Sequence, residues 1–187
     1  MSEVKLIVSN WKMNLNYSQS LNLIQKLKKL NCNSKRIKNI ICPQFLLIPH
    51  VEKHIKTCKF LLGAQDCHFK KNGSFTGETS LELLKKMNCK YIIVGHSERR
   101  SFQYESNLTI RKKVDFILSY KLKPIVCIGE SLNDRKKSRY IKFVEKQLYE
   151  CIPDNIKEII VAYEPIWSIG TGVTPSIEEV SEMVIFL

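Results

Sequence analysis

Residues 161–172 read Val161-Ala162-Tyr163-Glu164-Pro165-Ile166-Trp167-Ser168-Ile169-Gly170-Thr171-Gly172. A short apolar run ends at a carboxylate, and a loop with two glycines follows it. Because Pro165 restricts the residue before it to extended backbone, Glu164 is held at the end of a predicted strand. The pattern indicates a strand that carries a reactive carboxylate into a loop able to close as a lid.

This apolar run is the last of six in the chain. The six are Val4–Val8, Ile37–Cys42, Phe60–Ala64, Tyr91–Val94, Leu122–Ile128 and Ile159–Tyr163. Between them lie stretches with the 3.6-residue period of amphipathic helices. These are Leu21, Ile24, Leu27 and Leu30, then Ile110, Val114, Ile117 and Leu118, then Phe143, Val144, Gln147 and Leu148. Strands that alternate with helices predict an α/β fold with a parallel sheet and right-handed crossovers.

Local signals predict where two of the helices begin. Thr79 with Glu82 has the spacing of a capping box in front of a helix near Ser80. Thr174 followed by Pro175 predicts an N-cap and a first-turn proline for the last helix. No linker rich in proline, glycine or serine interrupts the pattern, so residues 1–187 are predicted to form a single domain.

The glycines are concentrated at one end of the predicted strands. All seven lie at the C-terminal end of a predicted strand or in the loop just after it, and they are Gly63, Gly73, Gly77, Gly95, Gly129, Gly170 and Gly172. Glycine is needed where the backbone has a positive φ or approaches another group closely. The distribution predicts a site built from the strand-to-helix loops, as in open α/β sheets and (β/α) barrels.

Reactive side chains follow the same strands. Asn10 and Lys12 follow the first strand, His96 follows the fourth, and Glu164 ends the sixth. A carboxylate, an imidazole and an ammonium group suit proton transfer beside a carbonyl on a molecule with an anionic tail. The residues after His96 are predicted to open a helix, whose N-terminus disfavours the imidazolium form.

Each of these residues also has an ordinary structural interpretation. His96 alone is more often structural, Lys12 alone is more often a surface lysine, and Glu164 could pair with Arg99 or Arg100. His50 and His54 have the spacing of a metal pair on a helix, but no third ligand accompanies them, so no metal site is predicted. Only the combination of the three reactive residues supports a catalytic site.

Composition indicates a protein of the cytoplasm. Hydrophobic residues make up 44% of the chain and charged residues 26%, as in ordinary globular proteins. No apolar run approaches the ~20 residues that span a membrane. Seven cysteines without a Cys-x-x-Cys pair predict reduced thiols rather than disulfides or a zinc knuckle. We therefore expect a cytoplasmic protein with no membrane partner.

The net charge of +12 has two interpretations. It could attract an anionic substrate or a nucleic acid. It could also reflect a solvated surface, because the lysines are scattered over several predicted helices. No interleaving of aromatic and basic residues of the RNA-binding kind is present, so no nucleic-acid partner is expected.

The motifs together resemble the triosephosphate isomerase family. They match in order along nearly the whole chain, and they are Asn10-Trp11-Lys12-Met13-Asn14, Gly63-Ala64-Gln65-Asp66, Phe75-Thr76-Gly77-Glu78, Gly95-His96-Ser97-Glu98-Arg99-Arg100, Cys127-Ile128-Gly129-Glu130 and Tyr163 through Gly172. The resemblance implies a (β/α)8 barrel, of which about six of the eight βα units are present. It also implies a cofactor-independent isomerase of a small phosphorylated triose, acting in glycolysis or gluconeogenesis.

The resemblance assigns roles to individual residues. Glu164 matches the general base and His96 the electrophile, with Lys12 as the third catalytic residue. Asn10, Trp11, Lys12 and Gly170 match substrate-binding positions. The lid comprises Pro165, Ile166, Trp167, Ser168, Ile169, Gly170, Thr171 and Gly172. The loop that braces the partner subunit in the family's homodimer comprises Phe75, Thr76, Gly77 and Glu78.

The chain also departs from the family's pattern. Leu15 stands where a glycine is common, Ser168 where alanine is common, and Val173 where many members have lysine. A barrel of this kind has ~250 residues, so the last two strands and their phosphate-binding loops are expected to be missing. About three lost phosphate hydrogen bonds at ~1.5–3 kcal/mol each predict poor activity. Open first and sixth strands predict poor stability, and the alternative function is an inactive fragment that only dimerises or binds through its basic surface.

Overall fold

The computed structural model describes residues 4–29, 36–56 and 58–187. Two compact units divide the chain, residues 1–93 with 119–123 and residues 94–118 with 124–187. The single domain expected from the sequence remains a prediction. Within the described ranges, every helix is too short or too polar to traverse a lipid bilayer.

In the described residues of the first unit, four strands pair in chain order. They are β1 (Lys5–Asn10), β2 (Ile37–Cys42), β3 (Phe60–Ala64) and β4 (Cys89–Val94), and each pairs in parallel with the next. The register aligns Asn10, the last residue of β1, with Cys42, the last residue of β2. The loops that follow Asn10 and Cys42 therefore begin side by side.

Three helices and a short 3-10 turn connect these strands. They are α1 (Tyr17–Lys29), the turn Phe45–Leu47, α2 (Ile48–Ile55) and α3 (Leu81–Lys86). The core of the unit is apolar, with Ile24 from α1, Ile40 from β2 and Ile92 from β4 fully buried. Leu30, predicted in the stripe of α1, lies outside the described residues.

The second unit contains the remaining two strands and five helices. In chain order they are α4 (Ser97–Phe102), α5 (Asn107–Ser119), β5 (Lys123–Ile128), α6 (Leu132–Lys136), α7 (Tyr140–Cys151), β6 (Ile160–Tyr163) and α8 (Ile177–Phe186). β5 pairs with β6 in parallel, and Ile128 aligns with Tyr163. Three of the four residues in the stripe predicted for α5 are fully buried, namely Ile110, Val114 and Ile117, while Leu118 is half-buried.

Two predicted helix caps are wrong, although α3 does begin near Ser80 as predicted. α3 begins at Leu81 with Ser80 as N-cap and without a side-chain cap, and the Thr79 carbonyl instead accepts the N–H of His68. The last helix begins at Ile177, and its capping box joins Ser176 to Glu179 instead of using Thr174. The cap of α8 is local, because Glu179 lies three residues after Ser176.

Candidate active site

His96 and Glu164 lie against each other in the second unit. His96 follows β4 and caps α4, and Glu164 follows β6. The imidazole Nε2 is 3.1 Å from Glu164 Oε1, and both side chains are largely buried, at 11% and 17% exposure. Two of the residues predicted to be reactive from the sequence are thus in hydrogen-bonding contact.

The hydrogen bonds around His96 define its neutral tautomer. Nδ1 accepts the backbone N–H of Glu98 at 3.2 Å, while the Glu98 carboxylate lies farther away, at 3.5 Å. Because a backbone N–H can only donate, Nδ1 must present a lone pair to it. The ring proton therefore lies on Nε2, which faces Glu164 and can donate a hydrogen bond.

The Glu164 carboxylate and backbone are held by three contacts from the ends of neighbouring segments. Oε2 accepts the backbone N–H of Ser97 at 3.0 Å, at the first turn of α4. The Glu164 backbone N–H donates to the Ile128 carbonyl at 2.7 Å. A Cβ added at Gly129 would overlap the Glu164 carbonyl oxygen, so glycine is required there for close approach.

The arginines that could have paired with Glu164 have other partners. Arg99 Nε donates to the nearly buried Glu105 carboxylate at 2.7 Å. Arg100 donates to the Gly95 carbonyl at 2.7 Å and to the Cys127 carbonyl at 3.2 Å. Arg100 therefore ties together the backbone at the ends of β4 and β5, directly before His96.

The first part of the lid is anchored to a buried carboxylate. Glu130 is fully buried, and its Oε1 accepts hydrogen bonds from Trp167 Nε1 at 2.8 Å and from the Tyr163 hydroxyl at 2.9 Å. Burial, followed by the negative charge of Glu130, raises the pKa of Tyr163 well above its usual range. The Tyr163 hydroxyl therefore remains a donor, and Arg135 lies 3.6 Å from the same carboxylate.

The rest of the lid is exposed and rich in local hydrogen bonds. Ser168 Oγ donates to the Pro165 carbonyl at 2.8 Å, and Thr171 Oγ1 donates to the Trp167 carbonyl at 3.0 Å. Gly170 and Gly172 have φ values of 71° and 75°, which side chains rarely adopt. These two positions of the predicted lid therefore favour glycine, while Trp167 at its start is tied to Glu130.

The remaining predicted binding residues lie in the first unit, after β1. The Asn10 side chain accepts the backbone N–H of Lys12 at 3.0 Å, and Lys12 has a φ of 51°. Gln65 Nε2 donates to the carbonyls of Lys12 at 2.8 Å and Cys42 at 2.9 Å. Trp11 is 8% exposed, so its ring packs into the unit. Two amide side chains thus fix the strained backbone of Lys12.

The predicted dimer loop is exposed in the isolated chain. Phe75, Thr76, Gly77 and Glu78 are all exposed, and the Glu78 N–H donates to the Phe75 carbonyl at 3.1 Å. At the base of the loop, the rings of His68 and Phe75 are 4.1 Å apart. The loop is therefore organised by its own contacts.

His50 and His54 make contacts that differ from those of a metal pair. His54 Nδ1 lies 2.8 Å from the His50 carbonyl, and the His50 ring meets Tyr17 edge-on at 5.0 Å. Burial, followed by the charges of His54 and Lys53, lowers the pKa of His50. Among residues 4–29, 36–56 and 58–187, no three His, Cys, Asp or Glu side chains are placed to hold a metal ion.

Three residues around the site were not assigned functional roles from the sequence. They are Gln65, Arg135 and Gln147, all of which contact the loops that carry predicted site residues. Only Gln147 had a usable signal, because it is a polar residue within the apolar stripe of α7. The roles of Gln65 and Arg135 depend on contacts that sequence spacing does not indicate.

The alternating strands and helices, with a histidine–glutamate contact after two of the strands, are those of the (β/α)-barrel class. The family model described as Triosephosphate isomerase matches residues 5–187. The chain is 36% identical to the triosephosphate isomerase of Alkaliphilus metalliredigens, over 97% of this chain and 75% of that protein. It is 40% identical to that of Amoebophilus asiaticus, over 95% and 73%, and 43% identical to that of the Wolbachia of Brugia malayi, over 96% and 74%.

The chain belongs to the triosephosphate isomerase family. Its relatives support an isomerase function and a barrel fold, which confirms the resemblance found in the motifs. The chain spans about three quarters of the length of these relatives.

Proposed function

We propose that the chain interconverts dihydroxyacetone phosphate and D-glyceraldehyde 3-phosphate by proton transfer through an enediolate, without a cofactor. The observation that carries this proposal is the contact of 3.1 Å between His96 Nε2 and Glu164 Oε1. It supplies a carboxylate base and a neutral hydrogen-bond donor side by side, which is what proton abstraction next to a carbonyl needs.

The chemistry uses the two groups in turn. Glu164 removes a proton from the carbon next to the carbonyl, and the electron pair moves onto the carbonyl oxygen. The Nε2–H of His96 stabilises that oxygen as negative charge develops. Glu164 then returns the proton to the neighbouring carbon, while oxygen-bound protons redistribute through His96. The reaction is balanced, since only hydrogens and electron pairs change position.

The other predicted residues would bind the substrate and exclude water. The Lys12 ammonium group offsets the negative charge of the phosphate ester, and its backbone is fixed by Asn10 and Gln65. The N–H of Gly170 would donate to the phosphate when the lid, residues 165–172, closes. Trp11 remains a predicted substrate-binding residue, and only 8% of it is exposed.

We also infer a homodimer that uses the loop from Phe75 to Glu78. This proposal is supported by exposed apolar side chains elsewhere in the same unit, with Met13 at 88% and Leu46 at 79% exposure. The Tyr17 hydroxyl donates to the Leu46 carbonyl at 3.2 Å, so these segments adjoin one another. Large exposed apolar groups of this kind are typical of interaction surfaces.

The proposed location is the cytoplasm, with no nucleic acid or membrane as partner. In the described part of the chain, Cys42, Cys89 and Cys151 are buried free thiols. Free thiols persist where the environment is reducing. The positive charge then serves to attract an anionic triose phosphate.

The test is a matched pair of substitutions in the 187-residue chain. Glu164→Gln removes the base and is expected to lower kcat by about 10²–10⁴-fold, measured in both directions and by deuterium uptake from D₂O. Glu158→Gln makes the same chemical change at an exposed position before β6 and should leave turnover unchanged.

A different result would favour the alternative function. If the unaltered chain shows no turnover but forms dimers in sedimentation experiments, it acts as a dimerising fragment. Binding to DNA or RNA that weakens steeply with salt would instead indicate a basic binding module. Equal turnover of Glu164→Gln and Glu158→Gln would refute the proposed role of the carboxylate.

A further inference from the structure

A buried amide on α7 lies behind the candidate active site. Gln147 is 5% exposed and lies on the same face of the helix as the fully buried Val144. Its Oε1 accepts the backbone N–H of Gly129 at 2.9 Å, and this hydrogen bond is itself buried. A buried polar side chain in an apolar helix face is costly unless its hydrogen bond is made, so this contact has a structural consequence.

The peptide group held by Gln147 is the one that also holds Glu164. The N–H of Gly129 and the carbonyl of Ile128 belong to a single planar peptide unit. That carbonyl accepts the backbone N–H of Glu164 at 2.7 Å. Fixing the N–H on one side orients the carbonyl on the other side, and hydrogen bonds in such a chain polarise one another.

Close packing means that any tilt of this peptide is passed on to Glu164. A Cβ at Gly129 would overlap the carbonyl oxygen of Glu164 and crowd its carbonyl carbon. The backbones of Gly129 and Glu164 are therefore in direct contact. A rotation of the Ile128–Gly129 peptide would displace the Glu164 backbone, and with it the carboxylate that lies 3.1 Å from His96 Nε2.

We propose that Gln147 is a positioning residue for the general base Glu164, acting through the Ile128–Gly129 peptide. The inference rests on the proposed isomerase function for its kinetic consequence, but its structural consequence can be measured without turnover. Gln147 does not touch the reacting atoms. Its effect is on where the carboxylate is held relative to the imidazole.

The experiment compares three variants of the full chain. Gln147→Met keeps the length of the side chain but removes the acceptor, and Gln147→Glu keeps an oxygen acceptor. Val144→Ala removes buried volume one turn earlier on α7 without changing the acceptor, so it controls for lost stability. Each variant is characterised by thermal melting, by kcat and KM for a triose phosphate, and by amide hydrogen exchange.

The expected kinetic result separates positioning from stability. Gln147→Met should lower kcat about 10- to 100-fold with KM nearly unchanged, because a displaced base weakens the transition state and not ground-state binding. Gln147→Glu should retain kcat within about threefold, since its oxygen can still accept the N–H. Val144→Ala should retain kcat even where its melting temperature falls as far as that of Gln147→Met.

The exchange measurement is independent of turnover. The amides of Gly129 and Glu164 should exchange at least about tenfold faster in Gln147→Met than in Val144→Ala at matched stability. If Gln147→Met does not fold, Gln147→Asn takes its place, because its amide is one methylene too short to reach the Gly129 N–H. The same results are expected for it.

The two proposals fail in different ways. If neither the parent chain nor any variant isomerises a triose phosphate, the proposed function is refuted. Amide exchange alone then decides whether Gln147 positions Glu164. If Gln147→Met and Val144→Ala have the same kcat and the same exchange rates, Gln147 is only a satisfied core residue and the positioning role is refuted.

Discussion

Replacing Gly129 by alanine tests how tightly the base is held. The added methyl group would occupy the position of the Glu164 carbonyl oxygen, and both partners are backbone atoms that cannot rotate away. Either the end of β5 or the start of the lid must move. The separation needed to relieve the overlap is on the order of 1 Å, a displacement that can cost ~100-fold in rate at a catalytic group.

The same substitution also has a cost in stability. Overpacking of this kind typically lowers the free energy of unfolding by about 1–3 kcal/mol. For a chain of this size, each kcal/mol corresponds to roughly 2–4 °C in melting temperature. Ile117→Val, in the fully buried stripe of α5, should cost ~0.5–1.5 kcal/mol without touching the site and serves as control.

The assay measures kcat and thermal melting for both variants. It also records the ¹⁵N and ¹H shifts of the His96 ring, since a displaced Glu164 lengthens the contact with Nε2. Gly129→Ala should lose ~100-fold in kcat and change the His96 shifts, while Ile117→Val changes neither. Unchanged kcat and unchanged His96 shifts in folded Gly129→Ala would show that the backbone contact does not position the base.

Two further predictions concern stability. Leu15 has a φ of 70°, which costs ~1–2 kcal/mol for a residue with a side chain. Leu15→Gly should therefore raise the melting temperature by about 1–4 °C, once the greater chain entropy of glycine in the unfolded state is subtracted. A melting temperature lower than that of the parent chain would mean that the contacts of the leucine side chain outweigh the strain. Burial, followed by the charge of Cys89, raises the pKa of Cys42 from 9.0 to about 12. The folded thiol thus stays protonated at pH values where the unfolded thiol ionises. Its contribution to the free energy of unfolding is therefore fully present below pH 9 and declines between pH 9 and 12. In urea titrations, the decline of the free energy of unfolding with pH should be shallower by up to ~1.4 kcal/mol per pH unit in Cys42→Ala than in the parent chain. Equal slopes for the parent and Cys42→Ala would contradict this.

The strands were predictable because each is a compact apolar run bounded by polar residues or glycine. β2 at Ile37–Cys42 and β3 at Phe60–Ala64 have the predicted limits. The cap predicted for α8 was Thr174, but the sequence also contains Ser176 with Glu179 three residues later, and the helix uses that capping box. The start of α8 is therefore specified by local spacing, and the prediction chose the wrong one of two candidate caps.

The residues of the proposed acid–base pair could be picked out from the sequence, and their arrangement could not. The sequence motifs identify His96 and Glu164. They are expected to lie close together because residues that follow the strands of a parallel sheet share one edge of it. The neutral tautomer of His96 follows only from the Glu98 N–H at Nδ1, a contact of the folded turn. The shared peptide between Gln147 and Glu164 joins segments that are 17 residues apart in the chain, so no local pattern could reveal it.

The sequence therefore indicated which residues are reactive, whereas the positions of their side chains depend on packing. The sequence alone established the strand–helix alternation, the carboxylate fixed by Pro165 and the histidine at the front of α4, because each depends on neighbours within a few residues. Only the tertiary structure showed that the buried Gln147 amide holds the Gly129 backbone and that the Glu130 carboxylate anchors Trp167. Those contacts need separate segments to meet at hydrogen-bonding distance, and it is the folded core that brings them together.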